Sequence, residues 1–208
     1  MTGRREVRRT YERIATHFAK TRPEPWEEVT AFFGGRSGAV GLDVGTGNGR
    51  HAELLAARVD RVIALDASHA AIGTALDRSA ERGFAVAPCL GAAARLPVCT
   101  SVVDLAAYVA TIHHLPDRAT RVASLDELAR VLAPGGAAIV SAWSVSHDRF
   151  DRSSGFDTEI DWTLPDGEAV PRFYHVYDLE EFEADLRESD LHVGEVFESH
   201  GNCYGVVE

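Results

Sequence analysis

The sequence predicts an α/β domain whose mostly parallel sheet is covered by helices on both faces. Three observations carry this reading. Between residues 39 and 142, short apolar runs alternate with stretches of helical period, which is the pattern of repeated strand-helix units. The apolar runs are close to continuous, as strands buried on both faces require. The first of them leads into Gly45-x-Gly47-x-Gly49 and then a helix, a strand-turn-helix connection in which glycine lets the backbone turn sharply and approach a ligand closely.

The elements follow in order. Residues 5–20 are expected to form a helix with Val7, Tyr11, Ile14 and Phe18 on one apolar face. Pro23 and Pro25 interrupt it, and a second helix starts at Pro25-Trp26 and stops at the glycines of 34–38. The core then runs strand 39–44, helix 49–58, strand 61–66, helix 69–82, strands 84–90 and 102–109, helix 118–132 and strand 136–142. Residues 144–171 break the rhythm. They are polar, carry Ser153-Ser-Gly155 and Pro165-Asp-Gly167, and read as a long loop inserted on the substrate side. A helix over 178–187, capped by Asp178, and strands at 191–198 and 202–207 complete a seven-stranded sheet. One domain is expected over residues 1–208, with no repeat or low-complexity segment.

Composition bounds the function. Hydrophobic residues make up 45%, enough for a proper core, and no 18-residue apolar run predicts a membrane span. The arginine-rich N-terminus lacks the apolar stretch of a secretory signal, so a cytoplasmic location is expected. Cys89, Cys99 and Cys203 have no metal-ligand spacing and do not form a disulfide framework. Acids outnumber bases 32 to 21, and Lys20 is the one lysine. This acid-rich, lysine-poor balance resembles that of proteins from salt-accumulating organisms and points to a haloarchaeal source, so the net charge of −11 does not by itself exclude an RNA partner. Arg4, Arg5, Arg8, Arg9 and Arg13 concentrate positive charge in the first helix, either as an RNA-facing cluster or as a solvated face.

The glycine turn is accompanied by an acid at the end of the next apolar run, Asp66, about where a carboxylate grips ribose hydroxyls. Two details argue against a dinucleotide. The third position of the G-x-G-x-x-G pattern is Arg50, and Asp43 stands two residues before Gly45, where a carboxylate would repel a pyrophosphate but suits a cationic amino group. The stretch Asp43-Val-Gly-Thr-Gly-Asn-Gly49 resembles the first motif of class I S-adenosylmethionine-dependent methyltransferases, and Asp66 resembles their ribose-binding acid. The resemblance implies their Rossmann-like fold and S-adenosyl-L-methionine held by Asp43, Gly45, Thr46, Gly47, Gly49, Asp66, Ala67, Ala92, Ala93 and Ala110, with the helices of residues 1–35 over the cofactor. Where that superfamily often has an acid facing adenine, this chain has Ala92 within Gly91-Ala-Ala-Ala-Arg95-Leu-Pro97, so adenine is left to backbone groups and apolar walls.

Further motifs narrow the resemblance. Thr21-Arg22-x-x-Pro25-Trp26, Ala110-Thr-Ile-His113-His114, Pro171-Arg172-Phe-Tyr174-His175 and Gly201-Asn-Cys-Tyr204 are similar to those of methyltransferases that esterify carboxymethyluridine at the tRNA wobble position. That resemblance implies a tRNA substrate, with His113, Arg22, Arg172, Tyr174 and His175 as catalytic candidates and Trp143 or Tyr174 stacking on the base. It also implies a small zinc-binding activator subunit pairing with a sheet edge, for which the uncharged run 84–90 is the candidate. A carboxylate acceptor has a pKa near ~4, arrives ionised and needs positioning rather than a strong base. A histidine pair at 113–114 could also hold a metal, but no carboxylate or further histidine stands at supporting spacing. Two other functions remain open from the sequence: methylation of a small metabolite, and a binding protein that keeps the fold without activity.

Overall fold

The computed structural model describes residues 4–21 and 23–208. Two helices, α1 (Arg4–Ala19) and α2 (Glu27–Phe33), precede β1 (Gly38–Val44), α3 (Arg50–Ala56), β2 (Val59–Asp66), α4 (His69–Arg82), β3 (Ala87–Leu90) and β4 (Val103–Val109). A single 3₁₀ turn (Ile112–His114) leads to α5 (Arg118–Val131), β5 (Leu132–Trp143), β6 (Phe156–Thr163), β7 (Ala169–Val176), α6 (Leu179–Glu188), β8 (Val193–Ser199) and β9 (Asn202–Val207). Seven strands form one sheet in the order β3-β2-β1-β4-β5-β9-β8. The first five are parallel, and β9 runs antiparallel between β5 and β8. Strand order reverses between β1 and β4, so a crevice opens beyond their carboxyl ends.

Both faces of the sheet are buried, and successive residues serve opposite cores because side chains alternate along a strand. Leu105, Ala107 and Val109 of β4 pack with Phe32, Phe33 and Leu55, whereas Ala106 and Tyr108 face Leu125, Leu128 and Phe182. Ser68 and Asp117 cap α4 and α5 by accepting from Ala71 and Thr120 N–H groups. The register between β4 and β5 slips from Val103↔Leu132 to Leu105↔Ala137, and the extra residues include Pro134, which cannot donate to the ladder, and Gly135 at φ +79°.

Residues 144–171 are only in part the loop expected from their polarity. Within them Phe156–Thr163 is β6 of a two-stranded antiparallel hairpin that reads from Phe156↔Val176 to Thr163↔Ala169 and stands apart from the main sheet. Half-buried and exposed residues alternate along all of β6, so Phe156, Ile160 and Trp162 face inward while Asp157, Glu159 and Asp161 face out. Acids at three of its four outward positions made a strand look like a solvated loop. The hairpin leans on α1: Trp162 lies 5.1 Å from the Phe18 ring and donates its indole N–H to His17 at 3.0 Å, and Arg13 pairs with Glu168. Among the described residues no helix is long and apolar enough to cross a membrane.

Candidate active site

A cavity of about 490 Å³ opens at the reversal point of the sheet. Its floor is the turn after β1, where Gly45, Gly47 and Gly49 have φ of +73°, +54° and +75°. Each glycine has a different reason. A Cβ on Gly45 would lie 2.2 Å from Thr111 Oγ1, and one on Gly49 would lie 3.2 Å from the Cα of Ala75, so these two permit close packing behind the turn. Gly47 meets nothing nearer than the Gly45 carbonyl at 4.0 Å and lines the cavity, so a Cβ there would project into ligand space. Asp66 braces the turn from the end of β2, its Oδ2 accepting from Gly47 N–H at 3.0 Å and its Oδ1 from Ser68 N–H at 2.9 Å. Burial raises the Asp66 pKa, and these backbone donors oppose the rise.

Asp43 sits beneath the turn, buried, accepting from the Thr46 hydroxyl at 2.7 Å. Burial pushes its carboxyl up to about 7, against the opposing effects of Thr46, the Ala52 N–H and the Arg50 charge. Neither Asp43 nor Gly49 reaches the cavity wall, whereas Gly45, Thr46, Gly47, Asp66, Ala67, Ala92, Ala93 and Ala110 all do. Ala110 holds φ +51°, a conformation that costs L-residues roughly 1–3 kcal/mol and clusters at functional sites. Its N–H donates to the Ser141 carbonyl and hydroxyl, both at 3.1 Å, which helps fix the strained end of β4. The glycine cradle, the acid facing it and the apolar wall at Ala92 and Ala93 fit S-adenosylmethionine in polarity and size.

The opposite wall is aromatic. His113, His114, Trp143, Tyr174, Tyr11 and Phe18 line it. Trp143 and Tyr174 stack at 4.5 Å with 13° between ring planes, and Tyr174 lies 4.9 Å from His113 and 4.5 Å from His114. Hydrogen bonds fix both imidazoles. His113 Nδ1 accepts from the Trp143 N–H at 2.9 Å, so the ring proton sits on Nε2. His114 Nδ1 lies 2.9 Å from the Phe173 carbonyl and must donate to it, which leaves Nε2 to accept from the Tyr11 hydroxyl at 2.6 Å. Burial, with the nearby Arg172 charge, holds His113 well below the ordinary imidazole range and His114 at about 3.

Helix α1 covers the cavity and is fastened on two sides. Glu12 accepts from the Ser68 hydroxyl at 2.8 Å and the Ala70 N–H at 3.2 Å, placing a carboxylate at the N-terminus of α4. On the other side Thr10 donates to the Pro171 carbonyl at 3.4 Å and Tyr11 reaches His114. The apolar face expected of α1 thus does two jobs: Ile14 is fully buried, while Val7, Tyr11, Ala15 and Phe18 line the cavity beside Arg5 and Arg8. Periodicity reveals such a face but not whether core or cavity lies beneath it.

The expected catalytic residues separate. His113 and Tyr174 stand on the wall. Arg172 is buried one turn of the pleat behind Tyr174, donating from Nη1 to the Tyr174 oxygen at 2.6 Å, and does not reach the cavity. His175 points from the opposite face of β7: Nδ1 lies 2.7 Å from Asp157 and Nε2 2.9 Å from Glu181, a structural pairing away from the cavity and a correction to its catalytic candidacy. Arg22 lies outside the described residues. Tyr11, Glu12, His114 and the cavity-lining Asn48, Arg50 and His51 had no assigned role in the sequence reading; His51 and Arg50 follow the glycine turn directly, and that position was the available signal.

Comparison with known proteins agrees with this geometry. Residues 42–136 match a family described as a methyltransferase domain. A Saccharomyces cerevisiae protein named tRNA (carboxymethyluridine(34)-5-O)-methyltransferase is 31% identical over 172 residues, covering 80% of this chain and 59% of that one. Mouse ALKBH8, of the same enzyme name, is 32% identical over 154 residues, covering 73% of this chain and 22% of its own length. The chain thus spans less than two thirds of these relatives. Among solved structures, a SAM-dependent methyltransferase from Aquifex aeolicus superposes with a TM-score of 0.64 at 25% identity over 87% of each chain. A methyltransferase in complex with the Haloferax volcanii Trm112 methyltransferase activator superposes with a TM-score of 0.70 at 17% identity over 97% of this chain and 96% of that one. The family match runs through the stretch that builds the glycine turn, Asp66 and the strained end of β4, and the chain carries an S-adenosylmethionine-dependent methyltransferase domain.

Proposed function

We propose that this methyltransferase esterifies the carboxylate of a carboxymethyl-modified uridine at the tRNA wobble position. The observation that carries this reading is the protonation of the acceptor wall. Both histidines there are locked neutral with their accepting nitrogens occupied, by Trp143 N–H in one and the Tyr11 hydroxyl in the other. Neither can take a proton without breaking a buried hydrogen bond. An acceptor that must be deprotonated, such as an alcohol, is therefore poorly served, whereas a carboxylate with a pKa near ~4 arrives ionised. The yeast and mouse relatives, whose names specify carboxymethyluridine, support the same acceptor.

When bound, S-adenosylmethionine supplies a methyl group on a cationic sulfur, which an oxygen nucleophile accepts in line. The chain's own contribution is positioning and partial desolvation. Gly47 and Asp66 hold one side of the cavity, the Trp143–Tyr174 stack offers an aromatic wall for a base, and α1 with its Glu12 and Tyr11 fastenings keeps water out. Arg5 and Arg8 at the cavity rim supply positive charge for RNA phosphates.

An activator subunit belongs to the same reading, supported by the Trm112 complex among the fold relatives. β3 is an edge of the sheet and carries no charge, and Leu90 on it is 45% exposed. The Gly91 N–H donates inward to Asp66, so by alternation Cys89 also faces β2 while Pro88 and Leu90 face outward. Pro88 lacks an N–H, which blunts the edge toward indiscriminate pairing while leaving its carbonyls and the Leu90 N–H for one dedicated partner.

The test is methyl transfer from labelled S-adenosylmethionine to total tRNA, with and without a Trm112-type subunit, in high salt for an acid-rich chain. Label in a wobble-uridine ester is the expected result. Cofactor binding with no label in tRNA would remove the assignment and favour a small carboxylic acid.

A further inference from the structure

A second depression lies beside the active-site cavity. It holds about 410 Å³ and is lined by Thr21, Pro23, Glu24, Trp26, Arg50 and Trp162. Trp26 and Arg50 also line the main cavity, so these two side chains form the partition between the spaces. Trp162 borders the acceptor side as well: its ring centroid is 5.1 Å from that of Phe18, which stands on the acceptor wall. The depression thus adjoins the space where a methyl acceptor sits, and neither the glycine cradle nor the paired histidines line it.

Its chemistry is aromatic. Each indole carries a guanidinium over its ring, with Arg50 Cζ 5.1 Å from Trp26 and Arg172 Cζ 5.0 Å from Trp162. Such contacts hold a ring in place, and the Trp162 indole is held further by donating to His17 at 3.0 Å. Both rings remain half-buried. Fixed, partly open aromatic surfaces suit an unstacked nucleobase, and every base has a π-face to offer them. The exposed Glu24 disfavours a phosphate inside, so a nucleotide enters base first. A net charge of −11 gives RNA phosphates little general attraction, which leaves stacking to carry more of the affinity.

We infer that this depression takes the nucleobase next to the wobble uridine, splayed out of the anticodon loop while the modified base enters the main cavity, and that the neighbour stacks on Trp162. The inference rests on the tRNA reading above and adds a second base site to it. Trp26 and Arg50 stand between the two bases and keep adjacent nucleotides apart.

The test is a binding cycle with S-adenosylhomocysteine and the activator subunit present. The probes are anticodon stem-loop RNAs bearing 5-carboxymethyluridine at the wobble position, either intact or abasic at its 5′ or its 3′ neighbour. For the wild-type chain, one of the two abasic changes is expected to weaken binding roughly 5- to 150-fold, the range of one base–aromatic stack. Trp162→Leu weakens binding of the intact RNA by a similar factor and is then indifferent to that abasic change. Trp162→Phe keeps a ring and retains most of the abasic penalty, and it guards against a leucine variant that fails to fold. A wild-type chain that loses nothing at either abasic position overturns the inference, and so does an undiminished penalty in Trp162→Leu. Methyl transfer to the intact RNA is measured alongside with S-adenosylmethionine. Absence of the ester removes the tRNA reading itself, whereas ester formed without an abasic penalty removes the second base site alone.

Discussion

Tyr11 and His114, 103 residues apart in sequence, meet at 2.6 Å with the phenol donating to Nε2. The direction is forced, because His114 commits its Nδ1 proton to the Phe173 carbonyl. One bond therefore fixes the tautomer of a cavity histidine and fastens the covering helix to the wall. Tyr11→Phe leaves Nε2 without its donor, at a cost of about 1–3 kcal/mol. For a domain of this size the melting temperature should fall by roughly 2–4 °C per kcal/mol, which thermal unfolding will measure. An unchanged melting temperature would show that α1 is held by its other contacts alone.

Gly45 and Gly47 share a left-handed backbone but predict different failures. Alanine at 45 drives its Cβ against Thr111 Oγ1 at 2.2 Å, beside the equally strained Ala110, so Gly45→Ala is expected to lower stability by several kcal/mol. Alanine at 47 meets open space, costs the αL strain of roughly 1–2 kcal/mol, and places a methyl group in the cofactor cavity. Gly47→Ala should therefore stay folded and lose S-adenosylmethionine affinity in calorimetry. Equal loss of stability in the two variants would contradict this division.

How much of this was legible in the sequence differs by element. The parallel core was, because continuous apolar strands and amphipathic helices each carry their own period and the glycine turn marks the reversal point. The hairpin was not, since the outward positions of β6 are Asp157, Glu159, Asp161 and Thr163 and its inward ones include Thr158, so hydropathy alone suggested a solvated loop. Of the residues expected at the cofactor, Gly45, Thr46, Gly47, Asp66, Ala67, Ala92, Ala93 and Ala110 line the cavity, while Asp43 and Gly49 stand behind the turn. The acceptor wall was legible as a set of residue types and illegible as geometry: strand alternation separates Arg172 and Tyr174 from His175, and no spacing rule says which face of β7 meets the cavity.

Titration of the buried groups gives opposing effects of pH. His51, His113 and His114 are held below their unfolded pKa, so below about pH 6.5 the unfolded chain binds protons that the folded chain refuses, and stability falls with falling pH. Asp43, raised from 3.8 to about 7, acts in reverse: between these values the folded state holds a proton the unfolded state has released, so stability falls as pH rises. Asp43→Asn removes the opposing contribution. Chemical unfolding between pH 5 and 7 should therefore show a steeper gain of stability with pH in the variant than in the wild-type chain, and an identical slope would mean that Asp43 is ionised in the folded protein.

On the free edge of β3, Leu90→Asp places a charge on an outward, 45% exposed position that no core contact requires. The isolated chain should fold and bind S-adenosylmethionine as before. Association with a Trm112-type subunit should weaken at least tenfold, about 1.4 kcal/mol, because a charge on the strand that accepts the partner is desolvated on binding. Unaltered affinity in a pull-down or by calorimetry would move the partner to another surface.

Tyr174 and His175 are neighbours in sequence and opposites in consequence, which makes β7 the place to separate chemistry from architecture. His175 spans Asp157 at 2.7 Å and Glu181 at 2.9 Å, and Glu181 in turn lies 3.5 Å from the buried Arg121. His175→Ala removes the bridge between hairpin and α6. The exposed Asp157 returns to water, but Glu181 loses its closest partner, and a cost of about 1–3 kcal/mol follows. Nothing in that network touches the cavity, so kcat and KM of the folded fraction should stay within a factor of about two, well short of the 1.4 kcal/mol that marks a tenfold change. Tyr174→Phe differs in its kinetics: the ring and its stack on Trp143 remain, the buried Arg172 Nη1 loses its acceptor at a cost of about 1–3 kcal/mol, and KM for the carboxylate acceptor rises. Steady-state kinetics beside thermal unfolding of both variants settles the assignment. A fall in kcat for His175→Ala at unchanged stability would return that histidine to the catalytic group and require the hairpin to move during the reaction.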